Sequence, residues 1–299
     1  MLNGKVYKNE IGYINLIEDV LNNGVEVPDR TGVGSIAMFD AKLIYEPGVA
    51  PLSTLRPAPL RMAFEEMWFF MNGKTQTKEL EDKGINFWKG NTTRAFLDSR
   101  GLTDVPEGDM GKAYGHQWRQ HGKGVVKDEF VVDQLVDTYE TLKRDPYSRR
   151  LLTTFWQPNS SQFMALTPCH YSHQIVVLPN EKGENVLNLK LTNRSLDTVF
   201  GALYALGNYY LYQLALAKLL NMKMGALSLD LTQIHIYKDQ IEYANEIVTR
   251  NFGNNGHVSI TKELNTLDDM LSLKWEDIEI KGLMVNNAPF KAKRPNMAV

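Results

Sequence analysis

The chain has 299 residues, 43% of them hydrophobic, which is enough to bury a large core within one domain spanning 1–299. Lysine and arginine total 33 against 35 acidic residues, and the net charge of −2 gives no sign of a polyanionic partner such as duplex DNA. No apolar run reaches the roughly 18 residues of a membrane span, and the opening Met1, Leu2, Asn3, Gly4, Lys5 lacks a signal-peptide core; with a single cysteine, the sequence reads as a soluble cytosolic protein.

From the start of the chain, Ile14, Ile17, Val20 and Leu21 recur at helical spacing and predict a helix over 11–22. A loop follows over 23–34, carrying Asp29, Arg30, Thr31 and Gly32, and alternation then predicts a strand over 35–45. Residues 61–71 are apolar at helical spacing around Glu65, Glu66 and Trp68. A carboxylate held against aromatic rings can serve as a general acid or base, and on composition the two glutamates are equal candidates. Residues 86–111 are polar and mixed, and 114–119, with Tyr114, His116 and Trp118, read as a turn. A helix is predicted over 128–143 with Asp128 as its N-cap, closed by Asp145 and Pro146 ahead of Arg149 and Arg150. Strands are expected over 151–156, 163–166, 174–179 and 186–192. Residues 203–220 form the most continuous apolar segment and predict a buried core helix. A strand over 228–237, a helix over 238–250 and a late strand over 275–280 complete the reading.

The single cysteine, Cys169, stands in the run Thr167, Pro168, Cys169, His170. Without a partner thiol its roles are buried filler or nucleophile. Proline before it, histidine after it and arginines at turns and strand ends favour the nucleophile, because cationic neighbours raise the thiolate fraction. Arg30, Arg149, Arg150 and Arg194 occupy positions from which guanidinium forks can grip a phosphate, provided the fold brings them together. Asn193, Arg194, Ser195 and Asp197 form a polar cluster directly after the expected strand. His235 and Tyr237, two apart on a strand, share a face and can both hydrogen-bond a sugar hydroxyl. The six histidines show no metal-ligand spacing, so no metal is expected.

Taken in order, these residues resemble thymidylate synthase and its relatives, the phage-type deoxypyrimidylate hydroxymethylases. The likeness runs through Asp29 to Gly32, Glu65 with Trp68, the stretch 88–119, Arg149 with Arg150, Pro168 to His170 with Gln174, Arg194 to Asp197, His235 with Tyr237, and the terminal Met297, Ala298, Val299. It implies an α/β (α+β) fold, a single domain whose large mixed β-sheet lies at the interface of a homodimer. It also implies that the Cys169 thiolate adds to C6 of a pyrimidine deoxynucleoside monophosphate, with 5,10-methylenetetrahydrofolate supplying one carbon to C5. By the same resemblance Arg30, Arg194 and Ser195 hold the phosphate, joined by Arg149 and Arg150 of the second subunit. His170, Gln174, Asn193, His235 and Tyr237 would surround the base and sugar, and Glu65 would manage protons at O4. Tyr114 would assist loss of the C5 proton; Trp88, Asn91 and Asp197 would line the folate site, with Val299 closing over it.

Two positions depart from the family pattern. Aligned on Gly201, Ala205 stands where thymidylate synthases carry the asparagine that reads uracil and where the deoxycytidylate enzymes carry aspartate; Asn193 replaces a glutamine. Ala205 can read neither base edge, which leaves dUMP or dCMP as substrate, with the missing aspartate favouring dUMP. The space it leaves could admit water to the transferred carbon, so the expected product is hydroxymethyl, with methyl transfer to give dTMP as the alternative. An inactive nucleotide- or RNA-binding relative is a third reading, opposed by the presence of Cys169, Glu65, Tyr114 and Arg194.

Overall fold

The computed structural model describes residues 4–29, 32–57 and 59–295. In chain order its elements are β1 (Lys5–Lys8), α1 (Asn9–Asn23), β2 (Val25–Val27), β3 (Ser35–Tyr45), α2 (Leu60–Met71), α3 (Lys78–Glu81), α4 (Arg94–Ser99), α5 (Tyr114–Arg119), α6 (Gln134–Arg144), β4 (Leu152–Thr154), β5 (His170–Pro179), β6 (Asn185–Asp197), α7 (Gly201–Leu219), β7 (Lys223–Tyr237), α8 (Ile241–Val248), β8 (His257–Ile260), α9 (Leu267–Leu271) and β9 (Ile278–Lys281).

A seven-stranded sheet runs in the order β1-β3-β7-β6-β5-β4, with β2 added against β3. The β1–β3 and β6–β7 pairs are parallel and the others antiparallel, so the sheet is mixed, as expected. Strands β8 and β9 form a separate antiparallel pair.

Along β6, Leu187, Leu189 and Leu191 alternate with the more exposed Asn188, Lys190 and Thr192, so one face of the sheet carries the core. Helix α7 covers that face. Its sequence is apolar on nearly every side and it is correspondingly buried; its interior Gln213 spends its amide on the Leu187 carbonyl oxygen at 2.8 Å. Helix α2 packs on α7 from the other side. At Gly207 a Cβ would meet Ala63 Cβ at 2.9 Å, so the absence of a side chain is what lets the two helices come this close. Helix α2 ends in a Schellman motif: Lys74 N–H donates to the Phe69 oxygen at 3.1 Å and Gly73 N–H to the Phe70 oxygen at 2.9 Å, with Gly73 at φ 73°.

Four expectations need correction. Residues 114–119 are helix α5 rather than a turn. Asp128 begins a short 3-10 turn; the cap of α6 is Asp133, whose side chain accepts from Val136 N at 3.1 Å and also pairs with Arg119. Residues 163–166 are no strand: Phe163 ends a 3-10 turn and Met164 makes only an isolated bridge to Gly111. The polar cluster 193–197 lies within β6, which continues to Asp197, rather than after it.

Candidate active site

Cys169 immediately precedes β5, and a cavity of about 230 Å³ opens beside it. Its backbone N–H donates to the Tyr114 hydroxyl oxygen at 2.8 Å, tying the Cys169 segment to the first residue of α5. Arg194 reaches across from β6. Its Nε donates to the Pro168 oxygen at 2.8 Å, its Nη2 to the Thr167 oxygen at 2.9 Å, and the same Nη2 lies 3.8 Å from Cys169 Sγ. A guanidinium so placed stabilises negative charge on sulfur.

A bulge between His170 and Ser172 resets the alternation of β5. As a result His170 and His173, three residues apart, both contact the ring of Tyr209 on the core side. His170 Nδ1 pairs with Tyr209 Oη at 2.9 Å, its ring stacks on Tyr114 at 4.5 Å, and burial pushes its pKa down to about 3, so it is a neutral imidazole at physiological pH. Gln174 falls on the opposite, outer face between the buried His173 and Ile175, and does not line the cavity.

The carboxylate in this cavity belongs to Glu66 rather than Glu65. Glu65 lines a different cavity, of about 460 Å³, and pairs with Lys83. Spacing on α2 explains the exchange: Glu65 lies four residues after the exposed Arg61 on the solvent edge, whereas Glu66 follows the buried Ala63 by three and precedes the buried Phe70 by four. Trp88 Nε1 donates to Glu66 Oε1 at 2.7 Å and Asn208 Nδ2 to Oε2 at 2.8 Å. Burial raises the Glu66 pKa to about 7 against the opposing effect of these two hydrogen bonds. A group poised there can hold or release a proton near neutrality.

Asn193, Ser195, Asp197, Ala205 and Tyr237 complete the wall with Tyr114, Trp88 and Asn91. The Asn193 amide is oriented by Ser195 N–H, which donates to its Oδ1 at 2.9 Å. Asp197 accepts from Val199 N and Phe200 N at 2.9 and 3.1 Å, so it both lines the cavity and organises the entry to α7. His235 stands behind Tyr237, ring to ring at 4.9 Å, and Tyr237 alone of the two reaches the cavity. Burial lowers the His235 pKa.

Arg149 and Arg150 are exposed on the turn before β4 and do not line their own chain's cavity. Arg30 and Val299 lie outside the described residues. Sequence reasoning missed Asn208, Tyr209, Phe200 and Tyr204. The last two continue the Gly201 and Ala205 side of α7 into the cavity, a face that helical periodicity could have indicated.

A folate has a flat heteroaromatic head that needs an apolar slot with a few polar partners. The cavity presents Phe87, Trp88, Leu166 and Phe200 beside Asp197, and the buried Asn91 Nδ2 has no partner among the described residues. This donor set fits such a group.

Residues 11–293 match the family model described as thymidylate synthase. The chain is 34% identical over 276 residues to the thymidylate synthase of Ascaris suum, covering 90% of this chain and 92% of that one. It is 32% identical over 286 residues to the thymidylate synthase of Saccharomyces cerevisiae, covering 92% and 93%. It is also 37% identical over 237 residues to the bifunctional dihydrofolate reductase-thymidylate synthase of Leishmania major, of whose length it spans 45%.

Proposed function

The chain belongs to the thymidylate synthase family, and we propose that it converts dUMP to dTMP through covalent addition of Cys169 to the pyrimidine. The observation that carries this reading is the placement of Cys169 Sγ and the Glu66 carboxylate on one cavity, the thiol backed by Arg194 and the carboxylate by Trp88 and Asn208. The family uses 5,10-methylenetetrahydrofolate, which supplies both the carbon and the hydride that reduces it to methyl.

In this reading the Cys169 thiolate forms a bond to C6, and the C5–C6 π electrons move toward C5 and O4, making C5 nucleophilic. Glu66 delivers a proton toward the O4 side as charge develops there and recovers it later, a task suited to its near-neutral pKa. Tyr114, whose pKa burial holds well above that of a free phenol, stays neutral, and the C5 proton passes to a water molecule that the Tyr114 hydroxyl orients. When C5 carries its new substituent, the S–C6 bond breaks and the thiolate returns to the field of Arg194. Trp88, Asn91, Phe200 and Asp197, which line the cavity, would hold the folate head. Arg194 beside Cys169 and Ser195 on the cavity wall would hold the phosphate, with Arg30 as a further candidate.

A second copy of the chain completes the site. The outer face of the sheet exposes Leu152, Val176 and Leu178, and Arg149 and Arg150 stand beside β4 at its edge, where they can reach a partner's phosphate.

Relatives that align over nearly their full length are named thymidylate synthase, which supports methyl transfer to dUMP over the hydroxymethyl product expected from Ala205. The test is mass spectrometry of the product formed from dUMP, and separately from dCMP, with methylenetetrahydrofolate. The expected result is dTMP from dUMP; a hydroxymethylated nucleotide, or turnover of dCMP in preference to dUMP, would overturn the proposal.

A further inference from the structure

Asn208 lies one helical turn beyond Ala205 on α7, 1% exposed. Its Nδ2 donates to Glu66 Oε2 at 2.8 Å while Trp88 Nε1 donates to Oε1 at 2.7 Å, so two separate elements grip the two carboxylate oxygens and fix the plane of the group. The contact depends on the close passage of α2 and α7 at Gly207. The other half of the amide, Asn208 Oδ1, is buried with no partner among the described residues. An amide kept only for packing would be expected to satisfy both halves; this one is committed through its donor to Glu66.

The geometry points to Asn208 as the positioning residue that holds the Glu66 carboxylate in the orientation from which it exchanges protons with the bound pyrimidine. This rests on the reading of Glu66 as the proton-handling group. Ala205 leaves the adjoining part of the wall without a polar side chain, and Asn208 is the α7 residue that bonds the Glu66 carboxylate directly.

The same contact has an electrostatic consequence. Tyr114 from α5 and Tyr204 and Tyr209 from α7, all with raised pKa values, interact electrostatically with Glu66, and His170 of β5, lowered to about 3, Asp197 of β6 and Cys169 with the adjoining Arg194 lie around the same cavity. The three tyrosines and His170 are neutral near pH 7. The balance at Glu66 is therefore between burial and two N–H donors, and removing one donor moves its ionisation upward.

The experiment is a carboxyl ¹³C NMR titration of the full-length protein, with the Glu66 resonance identified by its loss in Glu66→Gln, alongside the pH profile of dTMP formation. In Asn208→Leu the Glu66 midpoint should rise by about 1 and the matching limb of the rate profile should move with it. In Asn208→Asp, where a second carboxyl faces the first, it should rise further. Asn208→Ala, which demands no extra space, carries the same test if the leucine variant does not fold. A Glu66 midpoint unchanged in a folded Asn208 variant, with only the melting temperature lowered, overturns the proposal. Absence of dTMP from the wild-type protein would instead sink the proposed reaction and leave the titration to decide the role of Asn208.

Discussion

Arg194 holds Cys169 twice: its backbone N–H donates to the Cys169 carbonyl oxygen at 2.9 Å, and its Nη2 stands 3.8 Å from the sulfur. One residue of β6 thus fixes both the position of the Cys169 segment and the charge beside its sulfur. The guanidinium also stacks over Trp156 at 5.8 Å, which limits its swing.

Replacing that fork by a point charge separates the two roles. Arg194→Lys keeps a cation but cannot donate to Pro168 and Thr167 and reach Sγ together. Alkylation of Cys169 by iodoacetamide at pH 7 should slow by about tenfold. An unchanged alkylation rate would mean that the guanidinium does not activate the thiol.

The two adjacent glutamates predict opposite outcomes. Glu66→Gln removes the buried, proton-poised carboxylate and should cut turnover by about 10²- to 10⁴-fold. Glu65→Gln removes the partner of the half-exposed Lys83, away from the Cys169 cavity, and should leave turnover within about twofold. Steady-state rates of dTMP formation by both variants decide between them.

Stability should fall in mild acid because of His170 and His173, each with a pKa pushed down to about 3 by burial. In the unfolded chain a histidine titrates near 6.5, so above that pH neither state binds the proton and the two histidines contribute no pH dependence. Between 6.5 and 3 the unfolded state takes up protons that the folded state refuses, and stability drops as pH falls, by about 2 kcal/mol per histidine at pH 5. Urea denaturation at pH 7 and pH 5 measures the loss. His173→Phe should remove about half of it, and an unaltered slope would show that His173 is not held neutral.

The Gly207 contact predicts a cost that reaches the site. Gly207→Val drives a branched side chain against Ala63 and Leu60 and should destabilise the fold by about 1–3 kcal/mol. Separation of α2 from α7 should also detach Glu66 from Asn208, so turnover should fall even in the fully folded fraction. Thermal melts with rates measured below the transition test both parts.

Elements whose pattern is carried by local periodicity were legible in the sequence. Strand β3 shows its alternation and α7 its continuous apolar run, and both occur where expected. Helix α5 was not legible: it has only six residues, one of them a glycine, too short for a periodic signal. The start of β5 escaped for a different reason, since the bulge at His170 breaks the alternation that marks a strand, and that same bulge separates His170 from Gln174. Choosing Glu66 over Glu65 needed the helix's environment, with Arg61 marking the solvent edge. Of the described arginines, Arg194 stands at Cys169, whereas Arg149 and Arg150 are exposed on the turn before β4.

The most direct measurement is release of tritium to water from dUMP labelled at C5, in the presence of methylenetetrahydrofolate, by the wild-type protein and by Cys169→Ser. Sulfur addition at C6 is what makes the C5 hydrogen replaceable, so the wild-type protein should release label in step with dTMP formation and the serine variant should release essentially none. Equal release by the serine variant, or none by the wild-type protein, would contradict the account.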